Sequence, residues 1–141
     1  EKRTIAQNAA LTMSIPNLTF GVLGFVAPAV TGTSDKVINR SKGKLFDVFA
    51  INPPHALAHT LLGGLGIAAQ RSPRLSERYL EAGAVAYAAL AVAGIVKERN
   101  RRKGINEFLG LALNTADNVL HGVWGAACVA LALGSQRLGR R

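Results

Sequence analysis

Two stretches of this chain repeat each other at a fixed spacing of 62 residues. Laid over one another, they match Phe46 to Phe108, Ala50 to Ala112, Asn52 to Asn114, His59 to His121 and Gly63 to Gly125. The same offset carries Leu18, Gly21, Ala27, Val30 and Gly32 onto Leu80, Gly83, Ala89, Val92 and Gly94. A duplication this large in 141 residues leaves little freedom: the chain is two copies of one supersecondary unit packed against each other.

The distribution of charge says what the unit is. Residues 4–34, 48–70 and 82–96 contain no Lys, Arg, Asp or Glu, and residues 108–136 contain only Asp117. Crossing roughly 30 Å of hydrocarbon takes about 20 mostly apolar residues, so four such blocks predict four membrane spans. A water-soluble bundle would need a polar stripe on each helix, and none can be drawn through residues 83–96, GAVAYAALAVAGIV. The expected fold class is all-α, an integral membrane four-helix bundle built from two tandem helical hairpins. The whole chain, 1–141, is one transmembrane domain with spans near 9–32, 53–70, 79–96 and 115–134.

The first block begins after Lys2 and Arg3 and contains Ala27-Pro28-Ala29, which has the look of a signal peptide with a small-residue cleavage site. Its place in the duplication argues for a retained helix instead, with a kink at Pro16. Two short apolar segments, 45–51 and 108–113, are too short to cross and are expected at the membrane interface. Asn52 before Pro53-Pro54, and Asn114 in the second half, then read as helix caps: the Asn side chain accepts from an unpaired backbone N–H, and proline has no N–H to leave unpaired.

Two hairpins with an even number of crossings share one orientation. The halves are therefore expected to be related by a pseudo-two-fold axis along the membrane normal, with both termini on the same side. Lys and Arg number eight on that side and nine on the other, so the positive-inside rule does not choose between them. The net charge of +9 lies in loops and tails, where basic residues meet anionic headgroups. Nucleic acid is not an expected partner. The lone Cys128 excludes a disulfide framework, and it and Trp124 read as packing residues.

Asn52, His55, His59, Gly63 and Gly66 recur every three or four residues and share one helix face. Asn114, Asp117, His121, Gly125 and Cys128 repeat it. Asp117, three residues past Asn114, suits a reciprocal cap, and Asn118 belongs to the same polar mouth. For the histidines the leading expectation is a buried hydrogen-bonded cluster, through His–Asn, His–Asp or His–His contacts, that locks the hairpins together. Two alternatives stand beside it. One is axial ligation of haem or chlorophyll by His59 and His121, with His55 the weaker candidate. The other is a small transporter or proton relay through His55, His59, Asp117 and His121. The favoured expectation is no cofactor, and no residue set is assigned to a bare metal ion. No hydrolase elbow, phosphate loop, paired-cysteine site or dinucleotide fingerprint occurs, so no catalytic residue is assigned and an enzyme is not expected.

His55-Ala-Leu-Ala-His59-Thr-Leu-Leu-Gly63, followed by Ala116-Asp117-Asn118-Val119-Leu120-His121-Gly122, resembles the paired signatures of a bacterial four-helix integral membrane family catalogued as domain of unknown function 4383. The resemblance covers nearly the whole chain and implies a multi-pass protein of a bacterial inner or internal membrane, without an activity to transfer. The sequence departs from the usual pattern at Ala56, where Asn is expected between the two histidines, which weakens the case for a polar network around His55. Together these readings predict a non-enzymatic accessory or scaffolding subunit of a larger membrane complex, with respiratory and photosynthetic assemblies among the candidates and none named by the sequence; its partners are the lipid bilayer and other membrane subunits.

Overall fold

The computed structural model of the chain describes residues 2–99 and 104–138. Residues 100–103 of the expected basic loop and 139–141 of the basic tail lie outside them. Four helices dominate: α1 (Ile5–Gly24), α2 (Pro53–Ala69), α3 (Pro73–Arg99) and α4 (Thr115–Leu138). The chain is mostly helical and not all-helical. Two small antiparallel sheets join the helices of each half, one of strands β1 (Val30–Thr31), β2 (Gly43–Leu45) and β3 (Phe49–Ile51), the other of β4 (Asn106–Phe108) and β5 (Leu111–Leu113).

The two short apolar segments are where the all-α expectation needs correcting. Leu45 pairs with Phe49 and Phe108 with Leu111, so each segment folds back on itself as a tight hairpin. The reversals are made by left-handed residues, Phe46 (φ 54°) and Asp47 (φ 59°) in the first and Leu109 (φ 51°) and Gly110 (φ 80°) in the second. Positive φ at two successive positions matches the right-handed twist of the flanking strands.

Helix starts follow local chemistry. Thr4 and Gln7 form a capping box on α1. Asn52 accepts from the His55 N–H at 3.2 Å to start α2, with proline in its first turn. Asn114 Oδ1 accepts from the Asp117 N–H at 3.0 Å, while Asp117 Oδ2 accepts from the Asn114 N–H at 2.9 Å, a reciprocal cap on α4. At the other end, α1 stops at Gly24 and not near residue 32. A 3₁₀ turn, Ala27–Ala29, follows, because Pro28 lacks an N–H and pushes the residue before it out of the helical region. Pro16 lies inside α1.

The helices pair within each half, α1 with α2 and α3 with α4, and α1 meets α3 between the pairs. Glycines set the separation. A Cβ at Gly63 would fall 2.6 Å from the Leu18 nitrogen, and one at Gly21 2.4 Å from the Thr60 nitrogen, so these backbones touch. Gly24 lies against Ala56 and Gly94 against Asn118, while Gly63 faces Leu18 and Gly125 faces Ala88. The partners run in opposite order along each pair, so both pairs are antiparallel. These contacts also correct the repeat. Ala56 and Asn118 are 62 residues apart, but the glycines they face, Gly24 and Gly94, are 70 apart. The second and fourth helices keep the 62-residue register, and the first and third do not, because the connection from Gly24 to Pro53 is eight residues longer than that from Gly94 to Thr115. Ala6 and Ala132 share one buried cluster, so the start of α1 and the end of α4 lie at the same end of the bundle.

Candidate functional site: a histidine centre beneath crossed hairpins

Both helix mouths are built by side chains that serve the opposite half. Asn52 caps its own helix, and its Oδ1 also accepts from the Ala112 N–H at 3.1 Å while Nδ2 donates to the Gly110 carbonyl at 2.8 Å. In mirror fashion Asn114 Nδ2 donates to the Val48 carbonyl at 2.7 Å, and the Ala50 N–H donates to Asp117 Oδ2 at 2.9 Å. Gly110 and Val48 stand at equivalent positions of the repeat, as do Ala112 and Ala50. Asp117 Oδ2 therefore holds two backbone donors, one from each half.

Beneath this brace the three histidines converge. His55, His59 and His121 are all buried, and one ring nitrogen from each lies within 4.8 Å of the others. His55 Nδ1 sits 2.7 Å from the Ala112 carbonyl oxygen, which can only accept, so Nδ1 carries the proton. His59 Nδ1 lies 2.8 Å from Asn17 Oδ1. The Asn17 amide is oriented by its own Nδ2, which donates to the Met13 carbonyl at 2.8 Å, and by the Tyr87 hydroxyl, which donates to Oδ1. Oδ1 is thus an acceptor, and His59 Nδ1 donates to it. The remaining nitrogens, His55 Nε2 and His59 Nε2, face each other at 3.2 Å. In neutral rings both are lone pairs. The His121 ring stacks on His59 at 6.2 Å, and its Nδ1 is buried without a hydrogen-bond partner among the described residues.

A network therefore surrounds His55 although residue 56 is Ala. Ala56 packs on Gly24, and an Asn occupies the equivalent place in the second half: Asn118, which fills the space left by Gly94 and whose Oδ1 is likewise buried and unpartnered among the described residues. An apolar cavity of about 170 Å³ adjoins the rings, walled by His59, His121, Tyr87, Phe20, Phe49 and Trp124 among others. The His55 ring lies 4.9 Å from His59 and 5.9 Å from His121. Cys128 packs in a cluster with Met13, Leu80 and Tyr87.

Asn17 and Tyr87 are the members that sequence reasoning missed. Tyr87 is the lone hydrogen-bonding side chain of residues 82–96, which is the signal that marks it, whereas Asn17 is one of several in residues 4–34 and has no such mark. They stand 70 residues apart, at equivalent places on α1 and α3, and meet across the axis.

Among comparisons with known proteins, the model of a family described as Domain of unknown function (DUF4383) matches residues 7–134. No curated protein and no solved structure matches the chain.

Proposed function

The chain belongs to the DUF4383 family, and on the arrangement of its surface we propose that it is a non-enzymatic, four-span integral membrane protein that serves as an accessory or scaffolding subunit of a larger membrane complex. The observation that carries this is an inverted polarity. Leu57, Leu61 and Leu65 on α2 and Val119 and Val123 on α4 are exposed, whereas Asn17, His55, His59, Asp117 and His121 are buried. Leu61 is 57 % exposed and His121 1 %. A protein folded in water does the reverse with its large apolar and its ionisable side chains, whereas lipid accepts the first arrangement and requires polar groups to face inward.

α3 and α4 are each long and apolar enough to cross a membrane. α1 carries Gln7, Asn8 and Asn17, and α2 has 17 residues, about 26 Å at ~1.5 Å per residue. In this reading the hairpins complete those two crossings. Their tips expose Phe46, Val48 and Leu109, apolar residues placed to enter the interface. The partner-facing surface is the outer face of α3, where Ala82, Val85, Ala89, Val92 and Val96 are exposed at helical spacing. Small side chains allow the close backbone approach on which helix association in lipid depends.

Blue-native electrophoresis of mildly solubilised native membranes tests the subunit role. The protein is expected in a discrete complex larger than itself, and Ala89→Trp should release it while leaving it in the membrane fraction. Migration as a lone chain in every mild detergent would count against it.

A further inference from the structure

We propose that His55, His59 and His121 bind one divalent first-row transition-metal ion, with His55 Nε2 and His59 Nε2 as two of its ligands. This goes beyond the subunit role and does not depend on it. The argument begins with the two tautomers. Ala112 and Asn17 take the Nδ1 protons, and the Nε2 lone pairs are left 3.2 Å apart in a buried site. Two acceptors at that distance repel unless something electropositive joins them. A tetrahedral ion with bonds of about 2.0 Å to nitrogen sets its ligands about 3.3 Å apart, close to the observed separation.

A proton shared between His55 and His59 would relieve the same repulsion but would leave His121 unserved. His121 is buried beside them, has no partner at Nδ1 among the described residues, and places a ring nitrogen within 4.8 Å of the other two. An ion uses all three rings. At His55 and His59 the outer contacts also have the form that metal-bound histidines show, with the second nitrogen donating to a fixed oxygen that holds the ring and raises its basicity. Here those oxygens are the Ala112 carbonyl and Asn17 Oδ1, and the latter is itself fixed by Tyr87 and the Met13 carbonyl. Three neutral imidazoles with no thiolate among them select Zn(II), Co(II) or Cu(II) over Mg(II) or Ca(II). The cavity walled by His59 and His121 adjoins the remaining coordination position, where a water or small ligand fits.

The test uses the full chain, purified in mild detergent and stripped with a chelator. Titration with Co(II) should give visible ligand-field absorption that saturates at one ion per chain and is abolished by Zn(II). Zn(II) should also raise the melting temperature in a concentration-dependent way. The variants His59→Gln and His121→Gln should weaken Co(II) binding at least tenfold. If those variants fail to fold, imidazole nitrogen NMR of the unaltered protein decides: Zn(II) should move the Nε2 resonances of His55 and His59 and leave their Nδ1–H signals in place. A folded protein that shows neither ligand-field bands nor these shifts overturns the proposal, as does Co(II) absorption that persists undiminished in a folded His55→Gln/His59→Gln variant.

Discussion

Asn52 and Asn114, 62 residues apart, each cap their own helix and each donate to a carbonyl of the opposite half, Asn52 to Gly110 and Asn114 to Val48. The two halves are thereby tied through the same side chains that start their second and fourth helices. Replacing Asn52 with Ala leaves the His55 and Ala112 N–H groups and the Gly110 carbonyl without this partner. A lost cap costs about 1 kcal/mol and the one buried orphan, the Ala112 N–H, about 1–3 kcal/mol more, while water reaches the exposed Gly110, so Asn52→Ala should lower stability by about 2–4 kcal/mol in thermal or denaturant unfolding.

Asp117 distinguishes bracing from proton transfer. Its Oδ2 receives the Ala50 and Asn114 N–H groups, and an asparagine oxygen at the same place can receive both. Asp117→Asn should therefore cost less than about 1.5 kcal/mol, and Asp117→Ala about 2–4 kcal/mol. Equal, severe loss of stability in both would show that the charge itself holds the mouth together.

The close approach of α1 and α2 makes neighbouring glycines unequal. A Cβ at Gly63 would meet Leu18 backbone at 2.6 and 2.8 Å, one at Gly125 would sit 3.3 Å from the Ala88 nitrogen, and one at Gly64 would meet nothing within 4 Å. Gly63→Ala should destabilise by about 1–3 kcal/mol or more through overpacking. Gly125→Ala should be close to neutral, and Gly64→Ala should gain a few tenths to about 1 kcal/mol from helix propensity. The ranking of the three melting temperatures checks this.

The second and fourth helices were legible because their start carries a strong signal twice, Asn at the cap with Pro53 or Thr115 after it, at the same distance from a matched histidine. The register of the first and third helices was not. In helices so rich in Ala and Gly, identities such as Gly21 with Gly83 arise at several offsets, and only packing reveals that Gly24 answers to Gly94. The hairpins escaped notice because Phe46-Asp47 and Leu109 adopt left-handed conformations without the Asn-Gly pair that usually announces such a turn. His59 and His121 could be read as neighbours from the repeat. Asn17 and Tyr87 could not be joined to them, since their contacts span 42 and 70 residues.

Outside the helices, Asp35 organises the long first connection. The Arg40 N–H donates to its Oδ2 at 2.8 Å, the Thr33 hydroxyl at 2.9 Å and the Ser41 hydroxyl at 3.0 Å, and these bonds hold its carboxyl below the usual carboxylate range. Because the folded value is the lower one, the order this group gives the loop is present above the ordinary carboxylate value of about 4 and is lost as pH falls through the lowered value. The Arg40 amide NMR signal should hold its position down to about pH 4 and move only below it, and Asp35→Asn should abolish that transition.

The central claim, that the apolar exterior faces lipid while the polar axis is sealed inside, is tested most directly by spin labels placed singly at Leu61, Val92 and Val123 in bilayers. Collision with oxygen, which concentrates in the hydrocarbon, and with a water-soluble nickel chelate reports what surrounds each label. The account predicts high oxygen and low nickel accessibility at all three positions. High nickel accessibility there, in a protein whose His121 remains buried, would contradict it.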